Sequence, residues 1–411
     1  MTKITLSADM GAPATRAVFA ALEAQGGKGC VRFVGGSVRN ALMGRNISDL
    51  DLSTQLTPDE TEGALKAAGI KSVPTGKQFG TITAVIDVEN IPQLFEITSL
   101  REDVETDGRR AVVKYTTDWE KDAQRRDFYL NALYADIDGT VYDPTGEGIA
   151  DAQTGRVRFI GEAEQRIRED YLRILRFFRF TAGYSHDFDQ PSLEACIRLM
   201  DGIDGLSGER IWQEIGKMLA LSNPINAFET LSGSGIMHHV LPGWTHDAKT
   251  LPELSAMIGL TPDVPRRLMA LLDNGIGLDE AHIAAVQARL KFSNVLLDRL
   301  VRAGRAAAEL AEVDEGVLKR LIYARGRQAV EDAVYLIAAH LGRSPQGLLA
   351  HIAVLEVPVF PLKGADLIAR GVKPGRMLGE HLKQIETEWL NHDFSQSVID
   401  RNLDGIGKKP N

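Results

Sequence analysis

The first 145 residues alternate between short runs rich in β-branched residues and stretches with helical character. Such runs, bounded by turn residues, are typical of strands. They predict strands over residues 30–34, 47–53, 80–88, 94–100 and 111–116. A helix is predicted after the second strand, because Thr57 can cap it, Pro58 suits its first position and Glu60 completes a capping box. Gly69 is its predicted stop.

Beyond about residue 150, apolar positions recur at helical spacing nearly to the end of the chain, as over 168–180 and 208–221. A sheet-containing N-terminal part followed by a long helical part predicts the α+β class. With 411 residues, the chain is long enough for more than one domain.

The composition is that of an ordinary globular protein, with 44% hydrophobic and 25% charged residues. A net charge of −9 excludes nucleic-acid binding through bulk positive charge. Basic residues are in excess over 156–180 and 289–327, which are either polyanion-binding segments or solvated helix faces. The two cysteines, Cys30 and Cys196, exclude a disulfide scaffold and a cysteine-based zinc site. With neither a signal peptide nor a membrane-spanning run, an intracellular protein is expected.

Gly35 and Gly36 lie between an apolar strand and a predicted helix over residues 37–43. Glycines at such a turn let backbone N–H groups approach phosphate oxygens, and the helix N-terminus favours an anion there. Arg39 is predicted in the first turn of this helix, near the anion. Close packing alone is the alternative explanation for the glycine pair.

Asp49 and Asp51 are two residues apart, so in a strand both side chains point to the same face. Adjacent carboxylates in a half-buried strand are costly unless a cation neutralises them. The pair therefore predicts a site for a hard divalent metal, Mg²⁺, against the alternative of a solvated strand edge. Glu96 is an acid within an apolar strand and either completes this site or lies on an exposed edge.

Two arginine-rich clusters follow. Arg125, Arg126 and Asp127 directly precede an apolar helical run and form either a functional cluster or ordinary salt bridges. In the second cluster, a carboxylate and guanidinium groups recur every three residues along one predicted helical face, at Asp170, Arg173, Arg176 and Arg179. Such a face offers an acceptor and donors for a nucleobase edge, with the last two arginines over a triphosphate. The alternative is an intrahelical ladder of ion pairs.

Taken together, these motifs resemble the class II tRNA nucleotidyltransferase and poly(A) polymerase family over residues 28–220 and again over 361–382. The resemblance of GGSVRNALMG and DLDLST implies that Asp49 and Asp51 are catalytic metal ligands. Glu96 is the third candidate catalytic residue. The same resemblance implies that the first arginine-rich cluster contacts the ribose and the second the nucleobase. The residues implied to bind the nucleotide are Gly35, Gly36, Arg39, Arg125, Arg126, Asp127, Asp170, Arg173, Arg176 and Arg179. Asn40 and Tyr129 depart from the family pattern, where Asp and Thr are usual.

The resemblance also implies a polymerase-β-like nucleotidyltransferase head with a mixed sheet over residues 1–145. A helical, nucleobase-binding neck over 146–225 and an elongated helical, tRNA-binding body and tail over 226–411 would follow.

The implied activity is template-independent addition of CCA to the 3′ end of tRNA from CTP and ATP, with release of pyrophosphate. Mg²⁺ is the implied cofactor, tRNA the partner and the cytoplasm the compartment, without DNA or membrane partners. Residues 98–127 resemble the flexible loop of CCA-adding enzymes, which favours that activity over an A-adding enzyme or a poly(A) polymerase. A non-catalytic RNA-binding protein is the alternative from another class.

Overall fold

The computed structural model describes residues 2–47, 50–103, 113–185, 187–244, 250–273, 277–310 and 314–406. The chain divides into two compact units, Met1–Met218 with Gly233–His239 and Leu219–Ser232 with Val240–Asn411. The division of the chain into head, neck, and body with tail stays a prediction.

The first unit holds the strands. They are β1 Val31–Val34, β2 Asp51–Thr54, β3 Lys71–Gly76, β4 Thr81–Val88, β5 Ile91–Ser99, β6 Arg101–Asp103, β7 Val113–Tyr115, β8 Tyr134–Ala135 and β9 Val141–Tyr142. The helices up to the unit boundary are α1 Pro13–Gly26, α2 Gly36–Leu42, α3 Pro58–Ala67, α4 Trp119–Gln124, α5 Gly148–Thr154, α6 Ala163–Glu169, α7 Leu172–Tyr184, α8 Gln190–Arg198 and α9 Gly208–Leu219. Short 3₁₀ helices cover Lys77–Phe79, Tyr129–Asn131 and Met200–Gly205.

The later helices belong mainly to the second unit. They are α10 Ile225–Gly233, α11 Met237–Val240, α12 Thr250–Leu260, α13 Val264–Leu272, α14 Glu280–Leu290, α15 Asn294–Glu309, α16 Glu315–Arg325, α17 Arg327–Leu341, α18 Gln346–Val354, α19 Gly364–Ile368, α20 Arg376–Asn391 and α21 Gln396–Ile406. Within this unit, buried Asp332 accepts hydrogen bonds from Arg266 Nε and Arg299 Nε, each at 2.8 Å. Nowhere in the described ranges is a helix both long and apolar enough to cross a membrane.

Seven described strands form one mixed sheet in the order β3-β4-β5-β2-β1-β8-β9. Only the β2–β5 pair is parallel, while the other neighbours are antiparallel. Strands β6 and β7 pair separately. The mixed sheet followed by helices confirms the predicted α+β class.

The sheet has one apolar and one polar face. A row of register partners, Phe33, Leu52, Ile97 and Ile82, crosses four strands, and each side chain is essentially buried. Phe19 of α1 packs on Phe33 with ring centroids 4.8 Å apart, so helices cover this face. Residues of alternate parity along the same strands point to the other face.

The capping signal at Thr57 is confirmed. Its hydroxyl accepts from the Glu60 N–H, and the Glu60 carboxylate accepts from the Thr57 N–H at 2.8 Å. Helix α3 ends at Ala67, and Gly69 adopts a positive φ of 71° shortly after it.

The predicted strand over 47–53 is wrong at Ile47 and Leu50, which lie outside any strand, since β2 begins at Asp51; residues 48–49 lie outside the described residues. Just before this stretch, the Asn46 carbonyl accepts a hydrogen bond of 2.9 Å from Asn40 Nδ2 of α2. The predictions missed β3, an exposed edge strand that contains Pro74, and the two-residue strands β8 and β9.

Candidate active site

Asp51 and Glu96 are register partners on the parallel strands β2 and β5. Partner residues of this kind share a face and lie about 4.8 Å apart at their backbones. Both residues are exposed, on the polar face of the sheet. Glu96 thus lies on the strand next to Asp51, whereas Asp49, the other predicted ligand, lies outside the described residues.

The residues present fit a hard divalent cation. Like charges directly opposite each other in a sheet are unfavourable, and carboxylate oxygens are donors that Mg²⁺ prefers. Among the described residues no group of three His, Cys, Asp or Glu is close enough to hold a metal. A metal site with three protein ligands would therefore need Asp49 in addition to Asp51 and Glu96.

The glycine turn next to β1 starts a helix as predicted. Gly35 has a φ of 64°, which only glycine adopts easily, and its N–H donates to the Leu133 carbonyl at 3.0 Å. That N–H is therefore occupied by protein. Gly36 begins α2, so the N–H groups suited to a phosphate belong to Gly36 and the residues after it.

Arg39 lies in α2 but is buried, with 5% of its surface exposed. Its guanidinium donates to Asn131 Oδ1, to Asn40 Oδ1 at 3.0 and 3.1 Å, and to the Tyr184 hydroxyl at 2.6 Å. Burial lowers the pKa of Arg39. The Arg39 side chain thus joins α2 to α7. Its contact with the nucleotide stays a prediction. At position 40, where the family usually has Asp, the amide oxygen of Asn40 accepts the hydrogen bonds from Arg39.

Sequence reasoning missed Asp122 of α4, which is 1% exposed. Its carboxylate accepts from Arg125 Nε at 2.9 Å, from Arg126 Nη2 at 2.9 Å and from the Tyr134 hydroxyl at 2.7 Å. Burial would raise the pKa of Asp122, but the two guanidinium groups hold it well below its usual range. The sequence spacing could have indicated this contact, because Asp122 precedes Arg125 by three residues and Arg126 by four. On a helix, an acid at these spacings can pair with both arginines.

Arg126 also links this cluster to strand β2. Its Nη2 lies 3.4 Å from Ser53 Oγ, and Ser53 follows Asp51 by two residues on β2. Residues two apart in a strand share a face, so Arg126 contacts the same polar face as Asp51.

Buried carboxylates also hold two arginines of α7. Arg176 Nε donates to Asp127 at 2.7 Å, and Arg179 Nε donates to Glu214 of α9 at 2.5 Å. Burial would raise the pKa of Asp127, but Arg176 keeps it below its usual range. Glu214 was not predicted, since nothing in the sequence indicates that α9 packs against α7.

The predicted helical face through Asp170 is wrong in one respect. Helix α6 ends at Glu169 and α7 begins at Leu172, so Asp170 lies between them in an extended conformation with φ −158°. Its carboxylate accepts from Arg210 at 2.7 Å. Arg173 instead donates to Glu169 at 2.6 Å and to the Arg125 carbonyl at 3.0 Å, which joins the two arginine-rich clusters.

Comparison with known proteins supports the resemblance. The family model described as "Poly A polymerase head domain" matches residues 31–158, and the one described as "Probable RNA and SrmB- binding site of polymerase A" matches residues 187–247. By fold, the chain is similar to a crystal structure of the Bacillus stearothermophilus CCA-adding enzyme in complex with CTP. That likeness has a TM-score of 0.79 at 23% identity and covers 96% of this chain and 99% of that one.

Two relatives share more sequence. A Staphylococcus aureus protein named "CCA-adding enzyme" is 38% identical over 48% of each chain. The Mus musculus protein named "CCA tRNA nucleotidyltransferase 1, mitochondrial" is 33% identical over 379 residues, which cover 89% of this chain and 83% of the mouse protein. At that identity and coverage, the chain belongs to the tRNA nucleotidyltransferase and poly(A) polymerase family.

Proposed function

We propose that this chain adds CCA to the 3′ end of tRNA, taking CTP and ATP as substrates and releasing pyrophosphate. The pairing of Asp51 with Glu96 on the open face of the sheet carries the proposal, because it presents carboxylates beside the glycine turn and its helix. A non-catalytic RNA-binding protein would have no need for this unfavourable pair. The relatives named for CCA addition favour it over polyadenylation.

In the proposed reaction, the 3′ oxygen of tRNA bonds to the α-phosphorus of the nucleotide. The bond from that phosphorus to the oxygen of the departing pyrophosphate breaks, and the proton of the attacking hydroxyl passes to solvent. Mg²⁺ held by Asp51, with Asp49 and Glu96, would supply Lewis-acid stabilisation of the oxygens that carry negative charge.

Arg176 and Arg179 would bind the triphosphate, and Arg126 the ribose, in fixed positions. Each of the three is held by a buried carboxylate, so little reorganisation is needed when the nucleotide binds. Their side chains remain partly exposed, at 16–31%. Asp170 and Arg173 would select C or A through hydrogen bonds that G and U cannot match. The action of the chain in the cytoplasm stays a prediction, since the mouse relative is named mitochondrial.

The test incubates purified protein and Mg²⁺ with tRNA that lacks its 3′ CCA, adding CTP, ATP or both, and resolves the products on a sequencing gel. We expect CC from CTP alone and CCA from both nucleotides. Asp51→Ala and Asp49→Ala should each lower the rate by at least about 10³-fold. Asp87→Ala, an exposed acid further along the sheet on β4, should leave the rate unchanged.

Other products identify the alternatives. A long tail from ATP alone would indicate a poly(A) polymerase, and addition of A only to tRNA that already ends in CC would indicate an A-adding enzyme. RNA binding without incorporation would leave the non-catalytic alternative.

A further inference from the structure

Tyr184, the last residue of α7, packs against two guanidinium groups from the neighbourhood of α2. The Cζ atom of Arg39 lies 4.0 Å from the ring centroid of Tyr184, and that of Arg45 lies 4.7 Å from it. The Tyr184 hydroxyl also accepts a hydrogen bond of 2.6 Å from Arg39 Nη2. Arg45 Nη1 donates to the Gly183 carbonyl. Arg39 lies within α2 and Arg45 lies just after it. Both arginines therefore hold the end of α7 close to α2.

The same end of α7 is restrained from another direction. A Cβ atom on Gly155 would clash with the Tyr184 carbonyl, so the glycine lets the two backbones approach closely. Gly155 also has a positive φ of 72°, which other residues rarely adopt. The position of Tyr184 is thus determined by contacts with both α2 and the end of α5.

The two tied elements carry different parts of the proposed site. Helix α2 follows directly on the glycine turn, where the phosphates would bind. Helix α7 carries Arg173, Arg176 and Arg179, which are proposed to contact the nucleobase and the triphosphate. Recognition by hydrogen bonds needs these groups in a fixed relation, since a misplacement of about 1 Å can cost about 10²-fold in rate.

We propose that Tyr184 is a positioning residue for nucleotide selection, which holds the arginine-bearing helix α7 in register with the phosphate-binding turn through Arg39 and Arg45. The inference rests on the proposed function. Tyr184 is not among the residues for which the family resemblance implies a nucleotide contact. Phe177 and Phe178 are fully buried, so we expect α7 to retain its core packing when Tyr184 is changed.

The test measures kcat/KM for CTP and for UTP with tRNA lacking CCA. Tyr184→Phe removes the hydroxyl and keeps the ring, whereas Tyr184→Leu removes both contacts. We expect the CTP-to-UTP ratio to fall by about tenfold in Tyr184→Phe and by up to about a hundredfold in Tyr184→Leu. Arg45→Ala should lower the ratio in the same direction.

The ratio separates positioning from mere stability. A smaller folded fraction lowers the rate with every nucleotide equally, so it cancels in the ratio. Tyr142→Leu is the matched control, because that tyrosine also lies under a guanidinium group, Arg32 at 3.6 Å, but on edge strand β9. Its ratio should equal that of the wild type.

A wild-type CTP-to-UTP ratio in Tyr184→Leu would overturn the inference and leave Tyr184 a purely structural residue. Wild-type protein that incorporates no CTP would instead refute the proposed function, and the inference would fall with it. The two failures are distinguishable because the wild type is measured first.

Discussion

Asp51 and Glu96 lie side by side on the parallel strands β2 and β5, and both side chains are exposed on the polar face of the sheet. Like charges in this arrangement destabilise a sheet by about 0.2–1 kcal/mol. A divalent cation bound at the proposed metal site would offset this repulsion.

Glu96→Gln should consequently stabilise the metal-free protein slightly while reducing its activity. We expect a rise of up to about 1 kcal/mol in the free energy of unfolding in EDTA, because one of two neighbouring charges is removed. The Mg²⁺ concentration for half-maximal CTP incorporation should increase. Urea denaturation and a Mg²⁺ titration check the two expectations.

Asp87→Gln is the control for this prediction, since its charge lies at the far end of β4 opposite Pro92. It should leave the Mg²⁺ dependence unchanged. A Glu96→Gln variant with wild-type Mg²⁺ dependence would show that Glu96 does not take part in metal binding.

The sequence predicted well what depends on local pattern. Phe95 and Ile97 alternate with Glu96, so the exposed side of that strand was readable from period-two spacing. The Thr57 capping box was equally readable, because all of its bonds lie within four residues.

Non-local relationships were not readable from the pattern. Strands β2 and β5 are neighbours although β3 and β4 separate them in the chain, and nothing local specifies their register. Asp170 was assigned to α7 because the interruption between two helices is only two residues long. Glu214 acquires its role from packing between α7 and α9, which depends on the tertiary fold.

Asp122→Asn should strongly destabilise the first unit. The substitution leaves the guanidinium groups of Arg125 and Arg126 without their shared buried carboxylate, which should cost about 3–5 kcal/mol. Urea denaturation followed by circular dichroism measures the change. Glu194→Gln removes a solvent-exposed acid in the same unit and should have no measurable effect.

The pH dependence of stability should report the same carboxylate. The pKa of Asp122 is lower in the folded state than the value of about 3.9 expected when unfolded, so its contribution is fully present above pH 4. That contribution is lost as the pH falls below 4 towards the folded-state pKa. The free energy of unfolding, measured at pH 7, 5, 4 and 3, should therefore fall more steeply with decreasing pH in the wild type than in Asp122→Asn. Parallel profiles would contradict the assignment.

Thr57→Ala should lower stability by about 1 kcal/mol, because it removes the acceptor for the Glu60 N–H at the start of α3. Thr57→Ser keeps the hydroxyl and should restore most of the loss, as measured by thermal unfolding. Neither variant should change the CTP incorporation rate per folded molecule. A change in that rate would mean that α3 affects the site as well as stability.

Asp170→Ala and Arg210→Ala should relax nucleotide choice together. Asp170 is proposed to read the nucleobase, and its carboxylate is held by Arg210 at 2.7 Å, so loss of either residue removes a positioned acceptor. We expect the CTP-to-UTP ratio of kcat/KM to fall by at least about tenfold in Asp170→Ala, since one recognised hydrogen bond contributes about 1.5 kcal/mol or more when charged. Arg210→Ala should produce a smaller fall, because Asp170 also accepts from the Leu172 N–H at 3.2 Å and keeps part of its orientation.

Competition between labelled CTP and UTP measures both ratios. Arg198→Ala removes another exposed arginine of the first unit, on α8, and should leave the ratio unchanged. If Asp170→Ala discriminates against UTP as well as the wild type does, Asp170 does not read the base, whatever happens to the overall rate.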